Sequence, residues 1–342
     1  MLKTILKHQN PCRVIGSRFK TSSVQYVESR ARDATFEKLM DKYKNLLKVI
    51  AIQDLILAIP PITLLRSPLI SSPSSPKSYI STVAPPLFSE AEAINASLPS
   101  VVDRLVRLLS MSTTKSLPLR AVFKVWRELG LPDDFEDSII SRNPHIFTLF
   151  DAHEPNTHIL TLADEMRDER FVTSVKNWRV TECWMRLRRD FKAKVKEWQR
   201  LPYVGPYEEM GEKKRSKAGV MEVEKRVVAV VHEFLSLTVE RMVEVEKISH
   251  FRKSFAIDLN IRDLFLDHPG MFYLSTKGKR HTVFLREAYE RGCLIDSNPV
   301  YSARRKLLDL VVLGRHAMLT NESRSVETNQ TENPCLKDEN GG

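Results

Sequence analysis

Cations set among aromatic rings are the side chains best placed to do chemistry in this sequence. Between residues 174 and 200, Lys176, Arg179, Arg186, Arg188, Arg189, Lys192, Lys194, Lys196 and Arg200 outnumber Glu182, Asp190 and Glu197. Trp178, Trp184, Phe191 and Trp198 are interspersed with them. Cations that track a phosphate backbone, beside rings that stack unpaired bases, are what single-stranded RNA binding uses. A second group, Lys277, Lys279, Arg280 and His281, surrounds Gly278 in the stretch HPGMFYLSTKGKRHTVFL, His268 to Leu285. A third is scattered: Arg252 and Lys253 before Phe255, then Arg304, Arg305 and Lys306. Each cation that meets a phosphate adds roughly 0.7 to the salt slope of single-strand binding.

Each group also has a plainer explanation. Trp184, Leu187, Phe191, Val195 and Trp198 recur at the spacing of a buried helical stripe, which predicts them as core with the cations on an exposed basic face. The group around Gly278 fits either a solvated hairpin tip or a wing that holds phosphate. Gly278 itself is expected to serve the turn by accepting positive φ. For the scattered cations a charged helix face is the expected setting.

Enzymatic arrangements are incomplete. His232-Glu233 begins like a zinc-protease helix, but Ser236 stands where the second histidine belongs. Lys277-Gly278-Lys279 lacks a glycine-rich phosphate loop, and Arg280 follows where Ser or Thr would bind magnesium. The acid pairs Asp133-Asp134 and Glu208-Glu209 are adjacent, so on a helix they diverge. Cys12, Cys183, Cys293 and Cys335 form no C-x-x-C pair, which argues for a reducing compartment. No catalytic residue, metal ligand or cofactor is assigned.

The 342 residues carry a net charge of +10 and a pI of about 9.4, which favours a polyanionic partner. The most apolar run, Val49 to Ile62, contains Gln53 and Asp54 and ends in Pro60-Pro61, so a buried helix is expected there and no membrane insertion. Residues 1–27 hold Lys3, Lys7, Arg13, Arg18 and Lys20 with no acid, and Leu2, Ile5 and Leu6 fit one side of a short helix. That is the pattern of an organellar presequence, with the mitochondrion favoured over the chloroplast.

The elements that must position these groups are mostly helical. Apolar spacings of three and four predict helices over Asp33–Ile59, Val101–Ser110, Pro118–Gly130 and Glu222–Ile248, with Gly130 as a C-cap. Another helix is expected to start at Leu131-Pro132-Asp133-Asp134. Ser67–Pro86 reads as irregular, LPYVGPY (Leu201–Tyr207) as extended, and residues 316–342 as a disordered tail.

One unit is repeated. SIISRNPHIFTL ends at Leu149 and DLFLDHPGMFYL ends at Leu274, and the two align without a gap on Pro144 and Pro269. Each follows a helix, and each leads to a second β-like run, His158-ILTL or His281-TVFL. A weaker third copy is Pro85-Pro86-Leu87-Phe88. Proline stops a helix, and Phe and Leu then alternate onto one face of a strand. The expected fold is mainly α with short two-stranded β ribbons (α+β), in repeated helix–helix–ribbon units like winged-helix modules.

The segments KYKNLLKVIAIQDLIL (Lys42–Leu57), LPLRAVFKVWRELGLPDDFEDSII (Leu117–Ile140), WQRLPYVGPYEE (Trp198–Glu209), HEFLSLTVER (His232–Arg241), SHFRKSFAI (Ser249–Ile257) and His268–Tyr289 resemble the plant organelle RNA recognition, or PORR, domain. The resemblance covers residues 33–315. It implies an imported organellar protein that binds RNA and promotes splicing of group II introns, with other splicing factors as partners. It departs from the family over residues 66–98, where Ser and Pro replace a fuller first unit. Two other functions stay open on the residues alone: a protein-interaction scaffold of an organellar ribonucleoprotein, and a metal-dependent nuclease.

Overall fold

The computed structural model describes residues 32–58, 90–151, 158–163, 171–174, 198, 200–208, 216–278 and 280–309. The expectations for residues 1–27, for the Ser/Pro stretch up to residue 89, for the third repeat copy and for residues 316–342 lie outside them. The described elements belong to one unit, Asp33–Gly342.

In chain order the elements are α1 (Ala34–Ala58), α2 (Leu98–Ser110), β1 (Ser116–Pro118), α3 (Leu119–Leu129), β2 (Phe147–Asp151) and β3 (His158–Leu162). Then follow α4 (Lys217–Leu237), β4 (Met242–Glu244), α5 (Val245–Ser249), α6 (Ile261–Asp267), β5 (Phe272–Ser275), β6 (Thr282–Leu285), β7 (Tyr289–Glu290) and β8 (Cys293–Leu294). A last helix, α7, covers residues 299–309. The protein is thus a mixed α and β fold with small antiparallel sheets.

The repeat is real at the level of strand register. Sheet order is β1-β3-β2 in the first unit and β4-β6-β5 in the second, antiparallel throughout. Leu160 lies between Leu117 and Leu149, and Val283 lies between Val243 and Leu274. Leu149 and Leu274 are the residues that aligning Pro144 with Pro269 makes equivalent. Leu117 and Val243 are therefore equivalent too, and with them the helices that follow, α3 and α5.

Each ribbon has three strands where the sequence predicts two. The added strands, SLP and MVE, have only three residues each, too short for alternation to register. Pro118 cannot donate to a ladder and stands at the sheet edge, where that costs nothing. The helix expected over Glu222–Ile248 breaks into α4, β4 and α5. Thr238 turns its hydroxyl back to the Leu235 carbonyl (2.7 Å), the Val239 amide bonds the Glu128 carbonyl (2.7 Å), and Arg241 has φ +50°. After Leu131 there is one wide turn, Glu136–Ile140, closed by the Ser141 amide on the Glu136 carbonyl (2.9 Å), instead of a regular helix. Pro144 lies too close for more turns.

α4 is apolar on nearly every side. Val227, Val228, Val230, Val231, Phe234 and Leu235 are all buried, so it forms the axis of a core shared by both units. α2 and α3 bury Val101, Leu105, Leu108, Leu109, Val122, Val125 and Leu129 against it. α1 covers the outer face of the second sheet: Phe36 and Met40 pack on Met242, Tyr273 and Phe284, with the Phe36 and Tyr273 rings stacked at 4.8 Å. Further along, Leu46 and Ile50 meet Leu307 and Leu308 of α7. β6 is therefore buried at every position, while β2 runs out to Phe150, an exposed ring.

Gly130 closes α3 as the sequence predicts, with φ +69° and its amide on the Arg127 carbonyl (3.1 Å). A Cβ there would also stand 2.7 Å from Val239 Cγ2. Gly130→Ala is expected to lower stability by about 1–2 kcal/mol for the left-handed backbone alone, and by more once Val239 is displaced. Urea denaturation measures both. Gly278 does not follow its expectation. It lacks positive φ, and its need for glycine is close approach, since a Cβ would meet the Arg280 carbonyl oxygen at 3.0 Å.

Candidate nucleic-acid interface

Lys277 and Arg280 are where the sequence places them, between β5 and β6, but they are not free. Lys277 forms an ion pair with Asp41 of α1, and its carbonyl accepts from Lys44. Arg280 reaches Glu244 and Glu246, each at 3.0 Å. Both side chains are exposed, so these pairs are screened by solvent and exchange readily for phosphate. Lys279 lies outside the described residues.

Arg252 and Lys253 lie in a turn after α5, not on the helix face expected for them. The Arg252 guanidinium holds that turn together, donating to the carbonyls of Ile257 (3.3 Å) and Leu259 (3.2 Å). Lys253 is exposed, and its carbonyl accepts from the Ala256 amide (3.2 Å) within the same turn. Arg304 is not a surface cation at all. It is buried, 2.9 Å from Glu90, 3.4 Å from Glu240 and 2.8 Å from the Arg127 carbonyl. Burial works against its charge, but Glu240 and Glu90 outweigh it and hold its pKa above the usual arginine value. Burial likewise pushes the Glu240 carboxyl up, with Arg304 pulling the other way. Periodicity could not reveal this pairing, because its three members lie on separate segments.

Most of the basic segment, namely Arg179, Arg186, Arg188, Arg189, Lys192, Lys194 and Lys196, lies outside the described residues. Trp198 does not, and it is buried, as its stripe predicts. Its ring packs 5.0 Å from the His268 ring and 5.2 Å from Lys225 Nζ. The chain on either side is clasped to α4. The Glu233 carboxylate, fully buried, accepts from the Ser174 amide (2.7 Å), the Ser174 hydroxyl (3.1 Å) and the Tyr207 hydroxyl (2.7 Å), with Arg107 at 3.9 Å. Lys225 donates to the Leu201 carbonyl (2.7 Å) and Arg226 to that of Gly205 (3.0 Å). These bonds explain why LPYVGPY is not helical: its carbonyls face cations of α4. They also give His232-Glu233 its work. Glu233 is a clasp, and His232 Nε2 bonds Glu287.

One face escaped the sequence reading. Arg120, Phe123, Lys124 and Arg127 fall at i, i+3, i+4 and i+7 along α3. Arg120 and Lys124 are exposed, and Phe123 shows 42% of its surface. No described carboxylate pairs with Arg120 or Lys124, whereas Arg127 is half-buried and lies over the Trp126 ring at 4.8 Å. The spacing was visible in LRAVFKVWREL, but the helix reads first as a core element.

Among the described residues no group of three or more His, Cys, Asp or Glu is placed to hold a metal ion, and no helix is long and apolar enough to cross a membrane.

Comparison with known proteins bears on all of this. Protein ROOT PRIMORDIUM DEFECTIVE 1 of Arabidopsis thaliana is 39% identical over 251 residues, which is 66% of this chain and 60% of that protein. WHAT'S THIS FACTOR 1, chloroplastic, of Zea mays is 31% identical over 242 residues, 65% of this chain and 48% of its own. WHAT'S THIS FACTOR 9, mitochondrial, of Arabidopsis thaliana is 30% identical over 237 residues, 65% and 60% respectively. The chain thus spans about half to three fifths of the length of the curated relatives it matches. No solved structure gives a significant match. The family model for the plant organelle RNA recognition domain matches residues 84–316, which takes in both repeated units and α4 between them, and the chain belongs to that family.

Proposed function

We propose that this protein binds organellar RNA and promotes splicing of group II introns without itself catalysing a chemical step. The observation that carries the reading is the family match across both units, in a chain of net charge +10. Exposed cations neutralise phosphates, exposed rings stack unpaired bases, and the intron supplies its own reactive groups. The order helix, short strand, helix, helical turn or short helix, ribbon in each unit supports the reading of winged-helix-like modules. On this reading residues 33–315 form the RNA-binding body and residues 1–27 direct it to an organelle. The acid-free basic start favours the mitochondrion; relatives whose names say chloroplastic or mitochondrial support either organelle. Other splicing factors complete the assembly.

Two measurements test it. RNA recovered with the protein from organelles and sequenced should be enriched in intron-containing transcripts, and recovery of bulk RNA alone would count against it. Recombinant protein should bind intron RNA with log affinity falling steeply with log salt. Binding no better than a neutral protein's at moderate salt would refute it. Within that assay, replacing Lys277, Lys279 and Arg280 with Ala should flatten the salt slope. The melting temperature should hardly move, because the exposed pairs of Lys277 and Arg280 contribute little to folding. Unchanged affinity would remove the wing from the interface.

A further inference from the structure

We infer that the outer face of α3 is a docking site for single-stranded RNA, with Arg120 and Lys124 holding phosphates and Phe123 stacking a base. The inference rests on the RNA-binding reading above and assigns it a surface.

α3 and α5 occupy equivalent places in the two units. Register makes Leu117 equivalent to Val243, so Arg120 corresponds to Glu246, Phe123 to Ser249 and Lys124 to His250. In the second unit this helix position is acidic, and Glu246 meets the wing cation Arg280 at 3.0 Å. Helix face and wing there neutralise each other. In the first unit the polarity is reversed. The helix face carries two cations with no carboxylate partner among the described residues, while the ribbon beside it ends in Asp151, paired with His158 at 2.6 Å. The first unit therefore presents an open cationic helix face where the second presents a closed ion pair.

Phe123 is what makes the face fit RNA better than a bare polyanion. An exposed phenyl ring flanked at i−3 and i+1 by cations offers a stacking surface between two phosphate contacts. The ring is also held in place. It packs at 4.7 Å on the ring of Phe135, which is fully buried, so little ordering is left for binding to impose. Asp133, Asp134 and Asp137 follow in the next turn and are exposed; they bond neither cation and limit the site on the Phe135 side. Duplex RNA keeps its bases stacked inward and offers no free face to Phe123.

The test uses the full chain, a single-stranded oligouridine and a duplex of equal length, across a salt series. Arg120→Gln with Lys124→Gln should lower the single-strand salt slope by about 1.4, two contacts at roughly 0.7 each. Phe123→Leu keeps the apolar contact with Phe135 but loses the ring; single-strand affinity should fall roughly tenfold, with duplex affinity unchanged. Melting temperatures should match the wild type for the double variant. An unchanged slope and affinity in a variant of wild-type stability would overturn the α3 site while leaving the RNA-binding reading intact. Equal losses on duplex and single strand for Phe123→Leu would overturn the stacking role. Wild-type protein that binds neither RNA would overturn both the site and the reading it rests on.

Discussion

Arg304→Met is expected to destabilise the protein by about 3–5 kcal/mol, a third or more of the stability of a typical domain. Arg304 ties together three parts of the chain: Glu90 before α2, Glu240 after α4 and the carbonyl of Arg127 at the end of α3. Removing it leaves Glu240 buried beside Glu128 without the guanidinium that offsets its burial. The expected loss is thus mostly the cost of an orphaned carboxylate, not the net worth of the pair. That distinction is measurable. Arg304→Met combined with Glu240→Leu should recover much of the loss, since an apolar replacement of a buried pair is often neutral. A double variant no more stable than Arg304→Met would show that the loss comes from packing.

The pH dependence gives an independent check. Burial raises the Glu240 carboxyl above its unfolded value, and Arg304 opposes that rise. Without Arg304 the folded value goes higher still. A carboxyl raised in the folded state favours folding at low pH, and the advantage disappears as pH climbs through the folded value. The deficit of Arg304→Met should therefore be smallest at pH below the ordinary carboxylate range and grow from there upward. A deficit independent of pH would place the cost elsewhere.

What the sequence made legible follows from how far apart the cooperating residues lie. Gly130 as a C-cap, α2, α3 and the Pro–Phe–Leu ribbons are written locally, in spacings of two to four residues. Trp198 could be placed in the core because its apolar neighbours recur on one helical stripe. The pairing of Arg304 with Glu90 spans 214 residues, and that of Lys277 with Asp41 spans 236, so no local pattern announces either. The third strands β1 and β4 were missed because three residues are too few to alternate. The face of Arg120, Phe123 and Lys124 was legible as a spacing, but its meaning depends on its cations pairing with no described carboxylate, and only the fold can supply that.

The reversal of charge between the two repeats gives the interface a direction. In the second unit, α1, β4 and α5 bring Asp41, Glu244 and Glu246 to the wing, so Lys277 and Arg280 already have acid partners. Phosphate must displace those acids. On α3 it would meet no carboxylate already paired with Arg120 or Lys124 among the described residues. At low salt, replacing Arg120 and Lys124 should therefore cost more RNA affinity than replacing Lys277 and Arg280, because each phosphate gained at the wing also costs a weak exposed ion pair.

Glu233→Leu is expected to lower stability by about 2–6 kcal/mol, since it strands the Tyr207 hydroxyl and the Ser174 amide at roughly 1–3 kcal/mol each. Tyr207→Phe removes one donor and leaves Glu233 with Ser174 and Arg107, so about 1–2 kcal/mol is expected for it. The two losses should not add, because both act on one bond; a double-mutant cycle should return a coupling of about 0.5–3 kcal/mol. The effect reaches beyond stability. Ser174 and Tyr207 bracket the chain that carries Arg186, Arg188, Arg189, Lys192, Lys194 and Lys196, and this single carboxylate holds both ends of it. Trypsin should cut between residues 175 and 197 faster in Glu233→Leu than in the wild type at temperatures well below melting. Lys225 and Arg226 still hold Leu201 and Gly205 in that variant, so the release should be felt mostly from the Ser174 side. Equal cleavage rates in the two proteins would mean that those two cations suffice, and that Glu233 is an ordinary buried acid, not the clasp.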